Sequence, residues 1–233
     1  MSEHSKALCI IPARGGSKRI PRKNIRLFRG RPIISYVIEC ALASRCFDDV
    51  MVSTDDDEIA TLARQNGASV PFLRSLENSN DHADTVSVLK EVLDAYTKRG
   101  RRFELGCCIY PTAVLTRPSS LIEGLQRLMG DDGLAYALPI IPFSYPVQRA
   151  VYLENGRIPM FHPENYLSRS QDLQKVYHDA GQWYWFRCKS VANGMPLLGP
   201  NSAGVVLSEM DAQDIDNEDD WQMAEIKHEL QTP

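Results

Sequence analysis

Five short segments of this chain are dominated by apolar residues and lack the in–out alternation of a half-exposed strand: residues 7–11 (ALCII), 49–54 (DVMVST), 68–73 (ASVPFL), 105–110 (LGCCIY) and 134–140 (LAYALPI). Strands of this kind are buried on both faces, and both faces must be covered. The segments between them supply the cover. Residues 32–44 have helical spacing, with Pro32 suited to a first turn. A helix beginning among Thr54–Asp56 has Glu58 placed for a capping box and Gly67 for its C-terminal end. Residues 83–100 form the clearest amphipathic pattern, and residues 118–129 repeat it. Buried strands alternating with helices of about 10–15 residues predict an α/β fold, a mostly parallel sheet flanked by helices.

The rhythm changes between residues 142 and 202. Helical periodicity fades, prolines and aromatics accumulate, and residues 149–161 read as a hairpin turning at Asn155-Gly156. The sheet pattern resumes at 203–208 (AGVVLS), and a last helix starts near Asp219. The reading is one domain, residues 1–233, carrying a β-rich insertion over about 142–182.

Composition excludes several classes. A net charge of −4 does not suit an electrostatic nucleic-acid binder. No run approaches the ~20 apolar residues of a membrane span. The apolar stretch at 7–13 is too short for a signal sequence and is broken by Pro12. Six cysteines (Cys9, Cys40, Cys46, Cys107, Cys108, Cys188) show no C-x-x-C spacing and read as reduced thiols. A cytoplasmic protein is expected, with no nucleic-acid and no membrane partner.

Against that mildly acidic background the stretch CIIPARGGSKRIPRKN, residues 9–24, is conspicuously basic. It follows the first strand, and in open α/β sheets ligands bind at the carboxyl ends of strands. Gly15 and Gly16 allow close approach of backbone N–H groups to an anion. Arg14, Lys18 and Lys23 can pair with phosphate oxygens, and Ser17 and Asn24 add neutral donors. Neither the G-x-x-x-x-G-K-[ST] nor the G-x-G-x-x-G pattern is met. A solvated charged loop is the alternative; the position after the first strand favours phosphate.

Further segments follow in order: VSTDDDEIA at 52–60, LRS at 73–75, YPTAVLTRP at 110–118, SRSQDLQKVYHDAGQWYW at 168–185 and DIDNEDDW at 214–221. Together with IPARGGSKRIPRKN they resemble the CMP-sialic acid synthetase (acylneuraminate cytidylyltransferase) family. SRSQDL followed by YHDAGQ most resembles its pseudaminic acid branch. The resemblance spans residues 7–230 or so.

It implies a Rossmann-like fold of the nucleotide-diphospho-sugar transferase type, and a reaction in which a nonulosonic acid attacks the α-phosphorus of CTP. Arg14, Ser17, Lys23 and Asn24 would hold the triphosphate, helped by Lys18 and Arg22, with Ala13, Gly15 and Ala83 also against the nucleotide. Arg74 would face the cytosine, over which residues 82–85 close. Asp214 and Asp216 would ligate Mg2+, and Arg14, Lys23 and Asp216 would form the catalytic set. The sugar would meet Tyr110, Thr112, Arg169, Gln171, Tyr177, His178 and Gln182, with Asp179 a further candidate. Arg169 would face the sugar carboxylate, reaching it across a homodimer built on the insertion. Trp183, Tyr184 and Trp185 are expected to pack in the core. Tyr110 stands where sialic acid enzymes carry glutamine, which favours a more apolar sugar such as pseudaminic acid. N-acetylneuraminate, legionaminate or 3-deoxy-manno-octulosonate are the alternatives, and a non-catalytic nucleotide-binding module is the remote one.

Overall fold

Successive residues of β1 (Ala7–Pro12) bury on opposite faces of one sheet, as an all-apolar strand requires. Cys9 and Ile11 enter one apolar cluster, and Leu8 and Ile10 enter another. A computed structural model describes residues 6–17, 19–80 and 83–231. After β1, the two-residue strands β2 (Leu27–Phe28) and β3 (Arg31–Pro32) form a small separate hairpin. Then come α1 (Ile33–Ser44), β4 (Asp49–Ser53), α2 (Asp57–Gln65), α3 (Thr85–Lys98), β5 (Leu105–Ile109), α4 (Pro118–Gly130) and β6 (Tyr136–Pro142). The chain ends with β7 (Tyr177–Asp179), β8 (Trp183–Arg187), α5 (Cys188–Ala192), β9 (Ser202–Val206) and α6 (Glu218–Gln231).

β1 pairs in parallel with both β4 and β5. β8 runs antiparallel between β5 and β6, and β9 lies parallel along β6. β7 continues the line of β8 along the end of β6. The chain breaks that line at Gly181, whose φ of +65° suits glycine. Five of the seven strands therefore point one way, giving the mostly parallel sheet that the apolar strands predicted.

One face is covered by α1, α2 and α4 through Ile34, Val37, Ile38, Ile59, Ala63, Leu121 and Leu128. The other is covered by α3 and α5 through Leu89, Val92, Tyr96 and Val191. Trp183 and Trp185 are fully buried against α4, where the Trp185 indole donates to the Leu121 carbonyl at 2.9 Å. The expectation of core packing for this aromatic run holds. Gly124 of α4 is what lets the helix sit so close: a Cβ there would lie 2.6 Å from the Trp183 ring and 2.7 Å from Trp185. Gly→Ala normally favours a helix by about 1 kcal/mol. Here overpacking, about 1–3 kcal/mol, outweighs it. Gly124→Ala is expected to lower the urea midpoint; a raised midpoint would show the rings can move aside.

Three local expectations change. Residues 68–73 make a single bridge to β4, with Ser69 N–H donating to Val50 O at 2.8 Å. Pro71 has no N–H with which to extend a strand. Glu58 closes no capping box. Asp56 caps α2 alone, accepting from the Glu58 and Ile59 amides, and the Glu58 carboxylate pairs with Arg22 instead. In the insertion, Asn155 and Gly156 both adopt positive φ, as a two-residue hairpin turn needs, but only isolated bridges form around them. Short 3-10 turns replace most of the expected β structure.

Candidate active site

The basic loop is fastened by backbone amides, by Asn24 and by several of its own cations. The Ala13 amide continues the ladder onto Ser53 O at 2.9 Å, and the Gly15 amide donates to Asp55 Oδ1 at 3.0 Å. A Cβ on Gly15 would stand 2.7 Å from Asp56 Oδ2, so the close approach to the start of α2 requires glycine. Asn24 is buried and its amide donates to Arg14 O at 2.9 Å, closing the loop from below. Ile20 anchors it into a third apolar cluster with Phe28, Ile33, Ile215 and Trp221. Arg22, expected to help with phosphate, is spent elsewhere: its guanidinium pairs with Asp56 and Glu58. Lys18 lies outside the described residues.

A cavity of about 680 Å³ opens beside this loop. Arg14, Ser17, Arg19, Lys23 and Asn24 line one side; Arg74, Asn78, Asn80, Ala83 and Thr85 line the other. Arg74 is buried, with Nε donating to Ser53 Oγ at 3.0 Å and a terminal nitrogen donating to Ser53 O. Burial lowers its pKa, the nearby Asp55 and Glu91 charges oppose the shift, and the group stays a cation. Glu91 of α3 orders the loop beyond Arg74. Its carboxylate accepts from the Ser75 amide and hydroxyl, each at 2.8 Å, and from the Asn78 amide.

Asp214 and Asp216 sit where this cavity ends. Between them Ile215 is fully buried against Trp221 and Phe28, so the alternating chain turns both carboxylates the other way, into the cleft. The helix start behind them is capped: Asp220 Oδ2 accepts from the amides of Asp216 (2.9 Å) and Asn217 (3.0 Å), while Asn217 Oδ1 accepts from Asp220 N–H at 3.0 Å. Lys23 joins the basic loop to the pair, donating to Ile215 O at 2.6 Å with Asp216 Oδ1 at 3.8 Å. Arg19 reaches the same oxygen at 2.8 Å. Desolvation, then the Asp216 charge, raises the Asp214 pKa; desolvation lowers that of Lys23. Among the described residues no group of three or more His, Cys, Asp or Glu side chains could hold a metal. Two carboxylates turned into one cleft are nevertheless a donor set that suits Mg2+, which commonly takes one or two carboxylates and completes its shell with phosphate and water.

A second cavity, about 720 Å³, adjoins the first and shares Tyr110, Asp214 and Asp216 with it. His178, Asp179, Gly181, Tyr184, Glu209, Asp220 and Lys227 also line it. Tyr110 forms the partition. Its hydroxyl lies 3.1 Å from Thr85 Oγ1, its ring meets Tyr184 edge-on at 5.6 Å, and burial pushes its pKa up to about 12. Asp179 is fixed at both oxygens, by the Gly181 amide at 2.8 Å and the Tyr184 hydroxyl at 2.7 Å.

Of the residues assigned to the sugar from sequence, the structure brings Tyr110, His178 and Asp179 to this second cavity and leaves others out. Thr112 lines the nucleotide-side cavity. Gln182 is buried, its amide donating to Asp211 O at 2.7 Å, which is a structural tie. Gln171 and Tyr177 line a separate hollow of about 450 Å³ in the insertion, beside Phe143 and Val147. Arg169 is exposed in the same segment and lines neither cavity of its own chain. Ala13 and Gly15 shape the loop without lining the cavity. Of the segment expected over the base, Ala83 and Thr85 line the nucleotide-side cavity, and His82 lies outside the described residues. Sequence reasoning missed Arg19, Asn78, Glu91 and Lys227. Arg19 lay within the quoted basic run; the rest sit on ordinary helix and loop stretches, and nothing in their spacing marks them.

Known proteins resemble this chain over most of its length. The cytidylyltransferase family profile matches residues 8–191. The pseudaminic acid cytidylyltransferase of Campylobacter jejuni subsp. jejuni serotype O:2 is 41% identical over 226 residues, covering 97% of both chains. CMP-N,N'-diacetyllegionaminic acid synthase of Legionella pneumophila is 37% identical over 121 residues, 52% of each chain. Among solved structures, CMP:2-keto-3-deoxy-manno-octonic acid synthetase complexed with CTP superposes with a TM-score of 0.74 over 97% of this chain and 100% of its own. At 20% identity that likeness bears on the fold alone.

Proposed function

The chain belongs to the cytidylyltransferase family, and from that premise we propose that it couples CTP to a nonulosonic acid, pseudaminic acid, giving the CMP-sugar and pyrophosphate. The observation that carries this reading is the junction of two adjoining cavities at Tyr110, Asp214 and Asp216. One cavity is edged by the cations Arg14, Arg19, Lys23 and Arg74 and by Ser17, suited to a triphosphate. The other is edged by fixed acceptors suited to hydroxyl and amide hydrogens. A bond made between their contents would form at the junction.

In this reading Arg14 and Lys23 neutralise the β- and γ-phosphates while Ser17 donates a neutral hydrogen bond, and together they stabilise the leaving pyrophosphate as its charge grows. Arg74 donates to the acceptor edge of cytosine. Asp214 and Asp216 hold Mg2+, which would supply Lewis-acid polarisation of phosphate and hydroxyl oxygens. Asp179, held at both oxygens, accepts from the sugar's N–H or O–H groups. Tyr110 presents a ring edge and a neutral hydroxyl to the sugar, which favours a nonulosonate with deoxy and acylamido character; the 41% identity to a pseudaminic acid enzyme over nearly the whole chain supports the same choice. Six free cysteines fit a cytoplasmic location.

The insertion exposes Tyr145, Leu153, Ile158, Phe161, Tyr166 and Leu167, which suits burial against a second copy. Such a homodimer would carry Arg169 to the partner's sugar cavity. On this reading Arg169→Ala and Asp216→Ala proteins, each inactive, regain up to about a quarter of wild-type turnover when their subunits are exchanged by mixing, because one site per mixed dimer is whole. No recovery from demonstrably mixed dimers would place Arg169 in its own chain's site or outside the mechanism.

The decisive experiment is pyrophosphate release from CTP and Mg2+ with pseudaminic, legionaminic and N-acetylneuraminic acids side by side. Preference for pseudaminic acid is the expected result. Preference for another acid would keep the chemistry and overturn the reading of Tyr110.

A further inference from the structure

Lys227 is a lysine that faces the second cavity but whose ammonium is fully engaged with backbone and amide oxygen. It lies on α6, 9% exposed, and its ammonium donates to Glu209 O at 2.9 Å, Ala212 O at 2.8 Å and Gln213 Oε1 at 3.0 Å. An ammonium has three N–H donors, and three acceptors are present. None is a carboxylate. Burying an ammonium is costly, and an isolated ion pair is not what offsets it here. All three acceptors belong to residues 209–213, the strap that runs directly into Asp214.

One helical turn on, at the i+4 position of the same face, Gln231 Nε2 donates to Met210 O at 2.7 Å and Asp211 Oδ1 at 3.1 Å. The strap is thus tied twice to α6. The other end of the aspartate pair is tied to the start of that helix, through Asp220 and the amides of Asp216 and Asn217. Asp214 and Asp216 therefore sit on a short span whose two ends are fastened to one rigid helix. Such bracing fixes which way each carboxylate enters the cleft and how far apart they stand.

The geometry points to Lys227 as the positioning residue of the Asp214/Asp216 pair, the ammonium knot that holds the strap in the register a divalent cation needs. This rests on reading the pair as the cation's ligands. Lys227 touches neither nucleotide nor metal in this proposal; it acts through the strap. Loss of a residue that orients metal ligands typically weakens metal affinity or activity by about 10–100-fold.

The test compares Lys227→Met, which keeps the stem and removes the donors, with wild type and Gln231→Ala. Amide hydrogen exchange of the metal-free proteins reads the strap directly: residues 209–217 should exchange faster in Lys227→Met while β1 and β5 stay protected. The Mg2+ concentration for half-maximal pyrophosphate release should rise about 10–100-fold, with the KM for CTP at saturating Mg2+ unchanged. Gln231→Ala, at the exposed end of the helix, should shift both readouts in the same direction by less. If Lys227→Met does not fold, Lys227→Gln and Gln231→Ala decide the question. An unchanged Mg2+ requirement in folded variants overturns the proposal, as does a loss confined to melting temperature. An unaltered Mg2+ requirement in Asp214→Asn and Asp216→Asn would instead overturn the reading of the pair itself.

Discussion

Asp216→Ala is expected to fold like the parent and release no measurable pyrophosphate. The carboxylate lies at the meeting of both cavities, and it is the side chain that Arg19 and Lys23 both approach, at 2.8 and 3.8 Å. Its fold role is small. The neighbouring Ile215 supplies the anchor to the core, and Asp220 binds the Asp216 amide, which alanine retains. Its chemical role is large, because electrostatic stabilisation by a bound cation is worth several kcal/mol, and each ~1.4 kcal/mol is tenfold in rate. A fall of about 10³-fold or more in kcat follows. Asp219→Ala, exposed in the first turn of α6, serves as the control for simply removing negative charge and should stay near wild type. Near-normal turnover by folded Asp216→Ala would end the metal assignment.

Lys23→Met carries the second largest expected effect. The ammonium lies where the phosphate-side loop meets the aspartate pair, and its bond to Ile215 O at 2.6 Å stitches the two together across the sequence. Methionine matches the stem and removes the charge. Two losses coincide: a cation facing the departing pyrophosphate and the link that holds loop against strap. We expect kcat/KM for CTP to fall by about 10²–10³, the range seen when one preorganised transition-state donor is removed. The two losses separate by variant. Lys23→Arg keeps the charge but not the point geometry, and should recover part of the rate. Equal damage from arginine and methionine would mean that the bond to Ile215 O, not the charge at the phosphates, is what matters. Unchanged CTP kinetics in Lys23→Met would remove the residue from the mechanism.

Much of the fold was legible because its signals are local. An apolar run such as ALCII can satisfy its side chains only between two covered faces, and Cys9/Ile11 and Leu8/Ile10 divide between them as that requires. Asn155-Gly156 announced a turn by the backbone angles it tolerates. In DID, residues two apart fall on one side of an extended chain, and the burial of Ile215 between them turns Asp214 and Asp216 the same way. The failures were also local signals, overruled. Residues 68–73 are apolar enough for a strand, but Pro71 removes a donor. Glu58 stands near a helix start, but Arg22, 36 residues away, offers it a charge.

By itself, then, the sequence determined the layered α/β architecture, the basic loop that follows the first strand and the pair of carboxylates, since each is written in neighbouring residues through their periodicity or spacing. Only the tertiary structure decided that Tyr110 divides two cavities, that Gln182 is a buried tie, that Arg169, Gln171 and Tyr177 lie away from their own chain's cleft, and that Lys227 braces the strap before Asp214. Those outcomes depend on which distant backbone oxygens, rings and charges come to rest against a side chain. That is a property of packing and burial in three dimensions, and no spacing along the chain encodes it.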